Sequence, residues 1–89
     1  MVETTISRKQ ELQRKAAVLK QYEVYCYQMA YFLLEDEALA AQAAKQALFH
    51  LLNDETFFLD HEQLQKQKTK QITIKYALQT KSALLQQAL

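Results

Sequence analysis

Residues 22–52 read YEVYCYQMAYFLLEDEALAAQAAKQALFHLL, and the fold turns on how they are divided. The stretch splits into a broad aromatic segment and an alanine-lined one, joined by the acidic corner Glu35-Asp36-Glu37. Both halves carry apolar residues at spacings of three and four, the period of a helix face. Alanine lets two helix backbones approach closely, so the pair is expected to pack as an antiparallel hairpin. Asp36 is a good N-cap for the second helix, with Glu35 and Glu37 placed well for its dipole.

Composition narrows the rest. The chain has 89 residues, enough for one domain and a modest core; a partner or a second copy is a natural way to supplement it. It contains no Gly and no Pro, which leaves the usual strand hairpins and phosphate-cradling loops without their residues. An all-α three-helix bundle follows, with helices expected at about 5–34, 36–53 and 61–89. The lone Cys26 rules out an internal disulfide and fits a reducing cytosol. No run approaches the roughly 20 apolar residues that span a bilayer. The expectation is a soluble cytoplasmic protein with no membrane association.

Along the first helix, Leu12, Ala16, Leu19, Tyr22, Cys26, Met29/Ala30 and Leu33 form one face, widened by Tyr25 and Phe32. Thr4, Thr5 and Ser7 are candidate caps, and residues 8–15 are polar enough to be an exposed extension. A second stripe, Val24, Tyr27, Tyr31 and Leu34, lies away from that face. Either the third helix or the N-terminal extension covers it, or it is a docking surface for self-association. In the second helix Ala40, Ala43, Ala44, Ala47, Leu48 and Leu51 face inward, while Gln42, Lys45, Gln46 and Phe49 face outward. Phe49 among amides is expected to tuck under the following loop or to mark a contact. Residues 53–60, NDETFFLD, break the period; Phe57, Phe58 and Leu59 are expected to plug the end of the hairpin. Asp60 and Gln63 form a candidate capping box for the last helix.

That helix is read as amphipathic only in its second half, through Ile74, Ala77/Leu78, Leu85 and Ala88/Leu89. The run QKQKTKQ at 65–71 is read as solvated. Ile72, Ile74, Tyr76 and Leu78 also alternate in the manner of a strand, but a lone strand has nothing to pair with. Charge is uneven: residues 35–62 carry seven acids against Lys45, and residues 63–89 carry five lysines and no acid.

Little here supports catalysis. Two histidines, one cysteine and no glycine-rich loop offer no nucleophile–base pair, and neither a metal nor a cofactor is expected. Nucleic-acid binding has a better basis in Lys66, Lys70, Lys75, Tyr76 and Lys81, which could neutralise phosphates and stack on a base. On a helix, however, Lys66, Lys70 and Lys81 share one side while Lys68 and Lys75 face away.

The stretch MAYFLLEDEALAAQAAKQALFHLL, residues 29–52, resembles region 2 of the bacterial RNA polymerase sigma factors, particularly the small extracytoplasmic-function type. Tyr22, Tyr25, Ala30 and Leu33/Leu34 match that family's tyrosine-bearing helix. Asp36-Glu37-Ala38 matches its corner, and Ala40, Ala43, Ala44, Ala47, Leu48 and Leu51 match its alanine-rich helix. The likeness covers about residues 18–53 well and 57–89 in outline. It implies that Gln42, Lys45, Gln46 and Phe49 grip the clamp helices of the polymerase largest subunit. Gln42 and Gln46 replace acids of the family pattern, and Lys45 replaces a glutamine. The family's next helix melts and reads promoter DNA with a tryptophan and arginines; here only Lys70, Lys75, Tyr76 and Lys81 could substitute. The 89 residues also leave no room for the family's region 4. The resemblance therefore implies half of a split sigma factor, completed by a separate region 4-like protein, or a degenerate relative.

Overall fold

In the computed structural model, which describes the backbone of residues 2–88 and the side chains of residues 8–87, every long element is a helix. Helix α1 spans Val2–Leu34, α2 spans Glu37–Leu52 and α3 spans Glu62–Ala88, with a 3-10 turn at Glu55–Leu59 between the last two. No strand occurs among the described residues, so the alternation at Ile72–Leu78 belongs to a helix. Helix α1 already runs from Val2, which places Thr4, Thr5 and Ser7 inside it rather than ahead of it. Their side chains, and the inward positions expected for Ala88 and Leu89, lie outside the described residues.

The α1–α2 corner is two residues long and contains no glycine. Glu35 takes the left-handed conformation, φ 54°, and its N–H donates to the Tyr31 carbonyl at 2.7 Å, closing the end of α1. Asp36 is extended, and its carboxylate accepts from the Leu39 N–H at 2.9 Å, so it caps α2 as its chemistry predicts. The reversal lays α2 back along α1. Cross-helix pairs Tyr22–Gln65, Cys26–Thr73 and the shared cluster of Ala30 with Ala77 then show α3 running parallel to α1.

The core has two parts. At one end Leu19, Tyr22, Cys26, Ala44, Leu51 and Phe57 are buried together; at the other, Ala30, Ala40, Ala43 and Ala77 meet from all three helices. Phe57 plugs the open end of the hairpin, edge-on to Tyr22 at 6.0 Å. Phe58 packs beside it under the Lys15 ammonium, 5.4 Å from the ring centre. Leu59, expected in the same plug, points outward at 84% exposure.

Two expectations for α3 are overturned. Its polar run is not solvated throughout: Thr69 and Thr73 are fully buried and Gln65 is half-buried, all on the face toward α1. Threonine can sit there because each hydroxyl donates to the carbonyl four residues earlier, at 2.7 Å in both cases, and so enters the core already satisfied. Conversely, Leu78 and Leu85, read as inward, are exposed. The N-cap of α3 is also shifted by one residue. His61 Nδ1 accepts from the Leu64 N–H at 3.3 Å, while Asp60 instead holds the Lys68 ammonium at 2.6 Å.

With 33 residues, α1 is about 50 Å long and twice the length of α2. Its N-terminal half therefore overhangs one end of the bundle, and residues 8–14 are exposed, Leu12 among them. The last turns of α3 overhang the opposite end, with residues 81–87 exposed. The long dimension of 55 Å against 26 and 19 Å reflects these two projections.

Candidate functional site

Helix α2 exposes the four residues singled out on its outer face. Gln42, Lys45, Gln46 and Phe49 are all solvent-exposed at spacings that place them on one stripe. Phe49 is 68% exposed; it is not tucked under the loop that follows. Its carbonyl takes the Asn53 side-chain amide at 2.9 Å, which fixes the end of α2 while the ring stays free. The alanines on the opposite side explain the exposure. Ala40, Ala43 and Ala47 have no accessible surface, so α2 sits close against its neighbours and its whole outer half projects as a ridge.

Shallow grooves flank this ridge on both sides. Toward α1, a cavity of about 320 Å³ is lined by Val24, Tyr27, Ala41, Lys45 and Leu48. Toward α3, one of about 430 Å³ is lined by Leu39, Gln42, Gln46, Ala83 and Leu84. Of the ridge residues, Lys45 lines the first of these two channels and Gln42 and Gln46 the second, while Phe49 stands clear of both.

The stripe Val24, Tyr27, Tyr31 and Leu34 is covered only in part: Leu34 shares a hollow with Lys81, Leu84 and Leu85 of α3, while Val24 and Tyr31 stay exposed. Tyr27 and Leu34 are half-buried against the bundle, Tyr31 stacks on Tyr27 at 6.1 Å, and Val24 is 65% exposed. Val24 and Tyr27, with Glu23, form the α1 wall of the first channel.

The lysines of α3 are dispersed. Lys66, Lys70, Lys75 and Lys81 are exposed, whereas Lys68 is drawn toward the turn by Asp60, whose carboxylate holds the ammonium above its ordinary range. Tyr76 is not the free stacking aromatic expected. It is half-buried, its hydroxyl 3.0 Å from His50 Nδ1 and its ring edge-on to the imidazole at 5.8 Å. Sequence reading missed this His50–Tyr76 pair, although Tyr76 adjoins Ala77 and packs against the cluster that Ala77 shares with Ala30, Ala40 and Ala43.

Gln65 was missed as well. Its amide nitrogen donates to the Phe57 carbonyl at 3.0 Å, and its oxygen accepts from the Tyr22 hydroxyl at 3.1 Å. One side chain thereby ties α1, the turn and α3 together. The detectable signal was the four-residue ladder Gln65, Thr69, Thr73, Ala77, a ridge of short or self-satisfied side chains.

Cys26 is fully buried with the Thr73 hydroxyl 3.3 Å from its sulfur, and burial pushes the thiol above its ordinary range. A neutral, inaccessible thiol is packing material, not a nucleophile. Among the described residues, no group of His, Cys, Asp and Glu is arranged to hold a metal ion, and no helix is long and apolar enough to cross a membrane. Compared with family models, with curated proteins and with solved structures, the chain gives no significant match.

Proposed function

We propose that the chain is a non-enzymatic, transcription-related binding protein that grips the clamp helices of RNA polymerase with the outer ridge of α2. It acts as half of a split sigma factor, completed by a separate region 4-like protein, or as a degenerate regulator. The observation that carries this reading is the projecting stripe of Gln42, Lys45, Gln46 and Phe49 between two channels. A two-helix coiled coil can straddle such a ridge with one helix in each channel. Phe49 is then the apolar anchor, and the amides supply hydrogen bonds at its sides. The family likeness of residues 18–53 names the clamp as the coiled coil.

Capture of the isolated clamp coiled coil by the purified chain tests the proposal. Wild type should bind, and Phe49→Ala should weaken binding by about tenfold or more without loss of helicity, as removal of an exposed anchor does. Failure of the wild type to capture the coiled coil would overturn it. Promoter contact, if retained, rests on Lys66, Lys70, Lys75 and Lys81 without an aromatic partner, and a salt-dependent titration with single-stranded promoter DNA measures it.

The exposed stripe carries a second reading, a helical module that self-associates through Val24, Tyr27, Tyr31 and Leu34 and binds neither polymerase nor DNA. Its support is the exposure of Val24 and Tyr31 beside an apolar channel. Sedimentation should then show a dimer that Val24→Glu converts to monomer; a monomeric wild type eliminates this reading.

A further inference from the structure

A third surface lies between α1 and α3, on the side of the bundle away from the ridge of α2. Tyr25, Met29 and Phe32 on α1 face Ile74 on α3 across a cavity of about 520 Å³. Phe32 is 78% exposed, more than any other aromatic side chain described, and Leu78 and Leu85 continue the apolar line along α3. Lys70 lines the cavity directly, Lys66 stands one turn before it, and Lys81 borders the next hollow along, beside Leu84 and Leu85 and with Glu35 on its far wall. No acidic residue lines the central cavity, and α3 has no acid after Glu62.

We infer that this groove is a docking site for an acidic amphipathic helix of another protein. The concave apolar floor fits the apolar face of a helix, the usual occupant of a groove between two helices. Lysines along the α3 rim fit carboxylates flanking that face, and set sign and register more than raw affinity. From Lys70 to Leu85 the groove runs about 22 Å, enough for a helix of about four turns. Because α3 continues beyond the α1–α2 corner, the bound helix would complete a fourth position in the bundle and cover the overhang. A second copy of the chain is a poor occupant. Seven of its ten acids lie at the α1–α2 corner and around the Asp54–Glu62 turn, and the other three, Glu3, Glu11 and Glu23, are spaced eight and twelve residues apart along α1, too far apart to flank one apolar face.

The test titrates the full chain against a labelled peptide of about 16 residues, with leucines at helical i, i+3, i+7 spacing and glutamates beside them. A twin peptide with lysines in place of the glutamates is the control. The acidic peptide should bind about tenfold or more tightly than its twin, and Lys70→Glu with Lys81→Glu should reverse that order. Phe32→Ser should weaken binding of the acidic peptide while leaving helicity and clamp capture unchanged, which separates this site from the ridge of α2. Equal affinity for the two peptides, or no binding of either, overturns the inference. So does tighter binding to phosphatidylglycerol vesicles or single-stranded DNA than to the acidic peptide, or a dimer that Phe32→Ser dissociates.

Discussion

The two seams of this bundle are built on opposite principles. Between α1 and α2 the contact is made by absence: Ala40, Ala43 and Ala47 remove side-chain bulk until backbones meet. Between α1 and α3, outside the Ala30–Ala77 meeting point, it is made by polar side chains that have already spent their hydrogen bonds, Thr69 and Thr73 on their own helix and Gln65 on Tyr22 and Phe57. The first seam tolerates little that is larger at these three positions, because none of them has accessible surface into which an added side chain could extend. The second holds hydroxyls that do little for cohesion, so its strength should come from the methyl groups and from Gln65. A short core can therefore be closed either by removing volume or by neutralising polarity, and the two should respond differently to mutation.

The largest difference is expected at Ala43. It is fully buried in the cluster where Ala30, Ala40 and Ala77 converge from three helices. Ala43→Leu should cost about 1–3 kcal/mol or more, because a close-packed interior must distort to accept the added volume. In a domain of this size that lowers the thermal midpoint by several degrees per kcal/mol, readable by circular dichroism. An unchanged midpoint would mean that the helices are not in close contact there. Next comes the cross-helix bond of the second seam. Tyr22→Phe leaves the Gln65 oxygen without its donor and should cost about 0.5–1.5 kcal/mol in urea denaturation.

A third change should stabilise the chain. Glu35 occupies the left-handed region at the corner, where a residue with a Cβ is disfavoured by roughly 1–2 kcal/mol. Glu35→Gly relieves that strain but gives the unfolded chain more freedom, so a net gain of about 0.5–1 kcal/mol is expected. A loss would show that the Glu35 side chain has a stabilising contact worth more than the strain.

Legibility followed the same division. The alanine seam was readable because burial there obeys hydrophobic periodicity: Ala40, Ala43, Ala47 and Leu51 recur on one face, and the residues left over are the exposed ridge. Asp36 was readable because an N-cap is a local, side-chain-to-backbone matter. Helix α3 was harder, since hydrophobicity is the wrong index for it. Thr69 and Thr73 bury through local bonds that sequence polarity conceals, and Leu78 and Leu85, though apolar, fall on the side α1 does not cover. The shifted cap has a similar cause: Asp60 was free to cap α3 by sequence, but Lys68 claims it through space. Of the surfaces, the α2 ridge was visible in advance, while the α1–α3 groove required knowing which way α3 faces.

The connection leading into α3 should carry a small pH dependence. Asp54 accepts from the Thr56 hydroxyl at 2.6 Å and the Thr56 N–H at 3.1 Å, and the hydroxyl bond holds its carboxyl below the ordinary range. A lowered carboxylate pKa contributes stability that is present above its unfolded value and lost as pH falls through the folded one. Lys68 behaves oppositely: raised by Asp60, it contributes below its unfolded value and loses that contribution as pH rises through the folded one. Unfolding midpoints should therefore decline toward acid, and Asp54→Ala should flatten the acid limb while leaving the alkaline limb unchanged. An acid limb identical to wild type would remove Asp54 from the account.

The smallest expected effect separates the two seams most cleanly. Thr73 is fully buried, and its hydroxyl donates to the Thr69 carbonyl at 2.7 Å with the Cys26 sulfur 3.3 Å away. In Thr73→Val the carbonyl keeps the backbone donor of the helix, so no strong acceptor is orphaned; only the weak contact to sulfur is lost. The added methyl takes nearly the volume of the hydroxyl and favours burial. The change should lie within about 0.5 kcal/mol of wild type, with an unchanged dependence on urea. A loss of 1–3 kcal/mol would mean that the hydroxyl joins α3 to α1 through Cys26, and that the second seam is held by a polar network after all. Labelling of Cys26 by a thiol reagent reads the same point independently. If Thr73→Val leaves packing intact, the thiol stays as slow to react as in wild type; if the seam loosens, it becomes accessible before the protein unfolds.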